Sequence, residues 1–305
     1  MDLVTIDDIR EAAERIKGIA VRTPLLRMGE SWLKPESLQP VGSFKIRGAY
    51  NALAVLRPSG VVTHSSGNHG QALACAAAEF GVPCTVVVPE GTPAVKKAAI
   101  EGWGAEVVVV PPDQREVMAE RLAAERGLTL VPPYDHRAII AGQGTIGLEI
   151  VDALPDVEVV LVPVSGGGLA SGVAAAVKAL RPDVRVYGVE PELAADAAES
   201  LAAGRVVTWE TSRTFRTIAD GLRVNRVSEL TFAHLREHLE GIVTVSEDEL
   251  RGAVRHLART ARLVTEPSGA AATAALLSGR VPAGRTVAVV SGGNVDPELF
   301  ARIYA

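Results

Sequence analysis

Short runs of β-branched apolar residues alternate along this chain with longer alanine-rich stretches, and polar glycine loops join them. Val61-Val62-Thr63, Cys84 to Val88, Glu106 to Val110, Val157 to Val164, Val184 to Val189 and Thr286 to Val290 are largely apolar runs of strand length. Runs of this kind are expected of strands buried on both faces. Thr5 and Asp8 form a capping-box pair ahead of Ile6, Ile9, Ile16 and Ile19, which predicts a first helix. Gln71 to Phe80 reads as a helix closed by Gly81 and Pro83, and another runs from Gly168 to about Leu180. Ser246 and Glu249 form a second capping box, opening a helix with Leu250, Val254 and Leu257 on one face. Strand, loop and helix in this alternation predict an α/β fold of parallel sheets flanked by helices. Ligands of such sheets bind where strands end at their C-terminal edge. Three polar glycine-rich loops sit at such ends, after Thr63, Val164 and Val290.

A length of 305 residues suits one large unit or two lobes sharing a crevice. Apolar residues at 48% and charged residues at 22% are ordinary globular values. The formal net charge of −5 gives no electrostatic case for nucleic acid or an anionic membrane as partner. No apolar run approaches a membrane span, and the N-terminus has no basic-then-apolar leader. Cys75 and Cys84 are too few for a disulfide framework or a zinc site, so they read as reduced core thiols of a cytoplasmic protein.

Ser165-Gly166-Gly167-Gly168 follows a strand and opens a helix. Glycines there let backbone N–H groups approach an anion, and the helix N-terminus favours negative charge, so the loop reads as a phosphate site. A rival reading is a dinucleotide fingerprint built on Gly166, Gly168 and Glu190, as in an NAD-dependent dehydrogenase; its third glycine position holds Ser171. Lys45 lies between Phe44 and Ile46, with Gly42 and Gly48 on either side. Desolvation there would lower its pKa and make it a Schiff-base nucleophile, though alone it reads more simply as a snorkelling lysine. Ser65-Ser66-Gly67-Asn68-His69-Gly70 offers hydroxyls, an amide and backbone donors before a helix, and could equally be a cap. His234-Leu235-Arg236-Glu237-His238 fits a zinc-peptidase pattern, but a solvated helix face explains it adequately.

Leu38 to Ala49, Ser65 to Gln71, Ile140 to Thr145, Ser165 to Leu169, Thr217 to Gly221, Glu266-Pro267 and Ser291 to Asp296 occur in one order along nearly the whole chain. Together they resemble the fold-type II pyridoxal-phosphate (PLP) enzymes, of tryptophan synthase β-like fold, and within them the threonine/serine dehydratase and serine racemase group. The resemblance implies two lobes, a large one of residues 1–57 plus 138–305 and a small substrate-binding one of 58–137. It implies that Lys45 carries the cofactor and, once freed, removes the substrate α-proton. Phe44 would pack against the cofactor ring, Asn68 would meet its 3′-hydroxyl, and Ser165, Gly166, Gly167, Gly168 and Leu169 would cradle its phosphate. Ser291 would meet the pyridine nitrogen and leave it unprotonated. Ser65, Ser66, Asn68 and His69 would hold the substrate carboxylate, with Gly221 lining the substrate side.

The same resemblance implies a Mg²⁺ or Ca²⁺ site from the carboxylates of Glu190 and Asp196 and the carbonyl of Ala194; a surface acidic loop is the plainer reading of that stretch. A homodimer is implied by the family alone. The expected reaction is dehydration and deamination of L-threonine or L-serine to 2-oxobutanoate or pyruvate and ammonia. Serine racemase and threo-3-hydroxyaspartate dehydratase are the alternatives. Ser66, as a second acid/base opposite Lys45, points towards racemisation, whereas Tyr134 points towards elimination. Three features depart from the family pattern: Ser165 stands where many relatives have a fourth glycine, Leu53 to Val61 is short, and no regulatory domain is expected beyond residue 305.

Overall fold

The computed structural model describes residues 2–65 and 67–305 and contains two sheets. Ten strands make them: β1 (Leu26–Met28), β2 (Ser31–Pro35), β3 (Val61–Thr63), β4 (Cys84–Pro89), β5 (Glu106–Val110), β6 (Thr129–Leu130), β7 (Val159–Pro163), β8 (Arg185–Pro191), β9 (Gly241–Val245) and β10 (Thr286–Val290). The larger sheet has the order β1-β2-β10-β7-β8-β9, and only the β1–β2 pair is antiparallel. The smaller sheet, β5-β4-β3-β6, is parallel throughout. The expected α/β class is therefore observed.

Period-two alternation sorts each central strand between two cores. Val160, Val162, Val287 and Val289 face the helices Gly168–Leu180 and Glu229–His238. Val159, Leu161, Ala288 and Val290 face the helices Glu247–His256 and Pro267–Leu277. Covering both faces leaves β7 and β10 wholly buried, which is why these strands read as unbroken apolar runs. Both capping boxes read from sequence close their helices, at Thr5 and at Ser246. Among the described residues no helix is long and apolar enough to cross a membrane.

The helix Lys45–Leu56 belongs to both layers. Its Ile46, Ala49 and Leu53 share an apolar cluster with Val61, Leu73 and Val86 of the smaller sheet's layer. Its Arg47 is fixed to the other side, where the side chain is wholly buried. The guanidinium grips Glu36 through Nε (2.7 Å) and Nη2 (2.9 Å). It grips Glu149 through Nη1 (2.7 Å) and Nη2 (2.9 Å), and also donates to Thr145 and the Val21 carbonyl. Buried Lys34 completes the cluster on Glu149. Burial opposes ionisation of Glu36, but Arg47 wins and holds that carboxyl below its usual range.

Close backbone contact brings the bridging helix Arg137–Ala153 against its neighbours. A Cβ at Gly172 would lie 2.2 Å from the Ile140 carbonyl oxygen and 2.5 Å from the Gly144 nitrogen. At Gly142 it would lie 2.5 Å from the Arg47 carbonyl oxygen. Neither obstacle is a flexible side chain, so the helices would have to part. Gly172→Ala should destabilise the fold by about 3 kcal/mol through overpacking. Gly252→Ala, in the helix Glu247–His256 with nothing within 4 Å of a new Cβ, should instead stabilise by about 0.5 kcal/mol. Denaturant melts of the two variants check the contrast, and equal midpoints would refute it.

Candidate active site

Three helices begin near one place without a side-chain cap: Lys45–Leu56 after Phe44, Asn68–Phe80 after Gly67, and Gly168–Leu180 after Gly167. Their first N–H groups lack intrahelical partners and so remain free to bind an anion or a polar ligand. The loops that lead into these helices, or lie beside them, are tied together around Lys45. Phe44 N–H donates to the Ser291 carbonyl at 3.1 Å, and Ser43 forms a bridge with Gly292. The Gly293 N–H donates to the Gly42 carbonyl at 2.8 Å. Asn294 Nδ2 donates to the Val41 carbonyl (2.8 Å) and to Asn68 Oδ1 (2.7 Å). Asn68 Nδ2 in turn donates to Glu266 Oε1 at 2.6 Å.

Lys45 Nζ donates to the Pro133 carbonyl at 2.7 Å and lies 5.0 Å from the Phe44 ring centroid. Lys45 as a whole is half-buried, but the surroundings of Nζ set its charge: desolvation pulls the pKa down to about 8. The next residue after Pro133, Tyr134, lies against the glycine loop. A Cβ at Gly166 would stand 2.2 Å from Tyr134 Cδ1, and one at Gly168 would stand 2.9 Å from Tyr134 Cβ. Gly167 has φ +88°, a conformation that side chains rarely adopt. Ser165 Oγ is buried beside this loop and has no partner among the described residues. Leu169 is buried in the first turn of the helix that follows.

Ser65 Oγ accepts from the Gly67 N–H at 3.4 Å; Ser66 lies outside the described residues. The His69 ring is turned onto the Val131 carbonyl. Its Nε2 donates to the Val131 carbonyl at 3.0 Å, leaving Nδ1 buried, unprotonated and unpartnered. Burial first, then the charge of Lys45, holds its pKa down at about 3, so the ring stays neutral. A bare Nδ1 accepts and does not donate, so any contact of His69 with a carboxylate comes from its backbone N–H. Gly221 N–H donates to Ser268 Oγ at 2.8 Å, which seats the Thr217–Gly221 loop beside Glu266. Burial and the nearby Asp220 push the Glu266 carboxyl up to about 8.

Away from these loops, Glu190 and Asp196 are wholly buried, not members of a surface acidic loop. Glu190 accepts from the N–H groups of Ala197 (3.2 Å) and Ala198 (2.8 Å), capping the helix Asp196–Ala203. Both carboxylate oxygens are thus engaged by the chain itself, a helix-capping use unlike the free ribose-binding acid of a dinucleotide site. Both Asp196 oxygens lack a partner among the described residues, and burial pushes that carboxyl up to about 7. Burial and Asp196 together drive Glu190 upward as well. Ala194 is buried beside them. Among the described residues no group of three acidic, His or Cys side chains gathers to hold a metal. His234 is buried, contrary to the solvated face expected of it. Its Nε2 accepts from the Val4 N–H at 2.9 Å and its Nδ1 donates to the Leu230 carbonyl, which leaves no nitrogen for zinc.

Sequence reading overlooked the connecting residues. Glu266 and Asn294 lie in stretches singled out by the resemblance, yet no role was assigned to either. An acid before Pro267 and an asparagine ending a Ser-Gly-Gly loop were the available signals.

Comparison with known proteins places this geometry. The family model described as "Pyridoxal-phosphate dependent enzyme" matches residues 16–292. An L-threonine ammonia-lyase of Thermotoga maritima is 42% identical over 99% of this chain and 78% of its own length. An L-threo-3-hydroxyaspartate ammonia-lyase of Saccharomyces cerevisiae is 40% identical over 100% of this chain and 98% of its own. The structure of maize serine racemase superposes with a TM-score of 0.93 at 35% identity, covering 99% of this chain and 97% of that one.

The depressed Lys45 amine gives a direct test. Amine-selective labelling of cofactor-free protein followed by peptide mapping should show Lys45 reactivity rising about tenfold per pH unit and levelling near pH 8. Exposed lysines should keep rising to about pH 10.4. A Lys45 profile that follows the exposed lysines would refute its desolvation.

Proposed function

We infer, from the membership of this chain in the pyridoxal-phosphate dependent enzyme family, that it is an ammonia-lyase of β-hydroxy amino acids. L-Threonine or L-serine loses its β-hydroxyl and amino group, giving 2-oxobutanoate or pyruvate and ammonia. The observation that carries the reading is the desolvated Lys45 amine facing backbone-rich loops. The relatives' threonine, hydroxyaspartate and racemase activities keep serine racemisation and 3-hydroxyaspartate dehydration as the alternatives.

The residues present fit the cofactor. The glycine loop of Ser165 to Leu169, with its orphan Ser165 hydroxyl and uncapped helix, suits the phosphate. Lys45 would bind covalently, Phe44 would flank the ring, Asn68 would reach its hydroxyl and Ser291 its nitrogen. Bound, the cofactor supplies an electron sink for negative charge at the substrate α-carbon. Lys45 Nζ, its pKa drawn down towards neutrality by desolvation, would take the α-proton. The uncapped start of the helix Asn68–Phe80, with Ser65 and Ser66 before it, receives the substrate carboxylate through backbone N–H groups. Gly221 lines the opposite wall without a side chain that would crowd the substrate. Closure of the small lobe, residues 58–137, against 1–57 plus 138–305 would exclude water.

The buried pair Glu190 and Asp196, with the Ala194 carbonyl, fits Mg²⁺ or Ca²⁺, because two like charges cannot both ionise there without a cation or a retained proton. Homodimeric assembly and a cytoplasmic location complete the proposal.

Lys45→Ala should abolish the visible absorbance of the purified protein and lower ammonia release about a thousandfold or more; retention of both sinks the assignment. Binding of a dinucleotide by a colourless wild type would revive the dehydrogenase alternative. In Ser66→Ala, D-serine formation from L-serine should vanish while much of the elimination survives. D-Serine persisting there removes Ser66 as the second base, and wild type making more D-serine than pyruvate makes racemisation the main activity.

Chelation of divalent cations should lower the melting temperature of wild type and leave Asp196→Ala unmoved, since binding stabilises only the folded state. Identical responses in the two proteins would exclude the cation site.

A further inference from the structure

The helix Ala94–Glu101 packs in the smaller sheet's layer through Ile100, and the Thr217–Gly221 loop is seated beside Glu266. Lys96 of the helix is paired with Asp220 of the loop across 124 residues of sequence. We propose that this pair is a clasp that positions the Gly221 loop over the substrate when the two layers come together. The proposal rests on the ammonia-lyase reading above.

The loop's other ties run to residues outside the smaller sheet's layer. Ile218 N–H donates to Glu247 at 2.7 Å, Gly221 N–H to Ser268 Oγ at 2.8 Å, and Arg223 Nε to the Thr217 carbonyl at 3.0 Å. Lys96 is the only side chain of the smaller layer that pairs with the loop among the described residues. Its helix carries no side-chain cap and buries only Ile100, so little else fixes it. Asp220 also adjoins Gly221, where a Cβ would stand 4.0 Å from Oε1 of Glu266, the carboxyl that holds Asn68. The clasp thus connects the loop to the residues that surround Lys45.

Exposure decides what kind of device this is. The Lys96 and Asp220 side chains are 23% and 37% exposed, so water and salt screen their attraction and the pair opens readily. Such a pair biases a movable loop without locking it. Its role is positioning: it touches neither the reacting atoms nor Lys45.

Lys96→Met and Asp220→Asn should each raise KM for L-threonine about three- to fivefold with kcat changed far less, the scale of a partly exposed pair. Wild-type KM should rise with ionic strength, and Lys96→Met should lose that dependence. A net-neutral amino acid feels little long-range steering, so the salt effect reports the clasp. The charge-swapped double variant, Lys96→Asp with Asp220→Lys, should recover most of the loss. Hydrogen exchange of residues 94–101 and 217–222 gives a readout free of turnover, and both segments should exchange about threefold faster in either single variant. Unchanged KM, salt response and exchange in both single variants would overturn the clasp, as would a double variant no better than the singles. A wild type that turns over neither threonine nor serine would overturn the ammonia-lyase reading, and the exchange data would still decide the clasp.

Discussion

The grip of buried Arg47 on Glu36 and Glu149 anchors the helix that carries Lys45. The five N–H donors of Arg47 are consumed by Glu36, Glu149, Thr145 and the Val21 carbonyl. Burial alone would lower the pKa of Arg47, but the two carboxylates reverse the effect and raise it. Two residues earlier, Lys45 meets a carbonyl and an aromatic ring, with no carboxylate to oppose its desolvation, and drops to about 8. The same turn of helix therefore holds one cation kept charged and one made ready to lose its proton. Removing one partner from a buried pair of this kind typically costs about 3–5 kcal/mol, since the other charge is left uncompensated. The cluster thus fixes the first turn of the Lys45 helix with a strength the uncapped N-terminus could not supply.

Around that fixed turn, amides do the connecting. Asn294 reaches both the strand of chain before Lys45 and the Asn68 side chain, and Asn68 passes the contact on to Glu266. Glu266, pushed up to about 8 by burial and Asp220, favours its protonated form at neutral pH and still accepts from Asn68. Positioning comes from neutral hydrogen bonds, and the charge of the site is left for ligands to supply.

Central strands and glycine loops were legible because their physical causes are local. A strand buried on both faces has to be apolar at every position, and β3 and β10 fall where their runs of Val predict; β5 falls at its run too, but as an edge strand with Glu106 and Val109 exposed, not buried as expected. The short strands β1, β2, β6 and β9 were not foreseen. β6 has only two residues, and β2 contains Lys34, whose burial makes sense only beside Glu149, far along the chain. Resemblance singled out Lys45 and the glycine loop Ser165 to Leu169, since their residue types sit in contiguous motifs. The Arg47 cluster, the His69 ring turned onto Val131 and the Lys96–Asp220 pair each depend on partners tens to hundreds of residues distant, and no sequence period encodes those.

Two ion pairs bracket the site with opposite properties. Arg47 and Glu36 are both fully buried, and neither separates without stranding a charge in an apolar interior. Lys96 and Asp220 stay partly in water, where separation strands nothing. A lyase of this kind has two needs that conflict. Its base has to stay within hydrogen-bond reach of one substrate proton, while its mouth has to open for each substrate and product. A buried pair under the base and a screened pair at the mouth meet both needs, because the cost of breaking an ion pair follows how much water is available to replace it. The helix Lys45–Leu56 makes the division workable. It is tied to the larger layer by Arg47 and packed against the smaller one by Ile46, Ala49 and Leu53, while the Lys45 amine reaches the Pro133 carbonyl. The apolar contacts carry little directional preference, so the ion cluster sets where this helix stands.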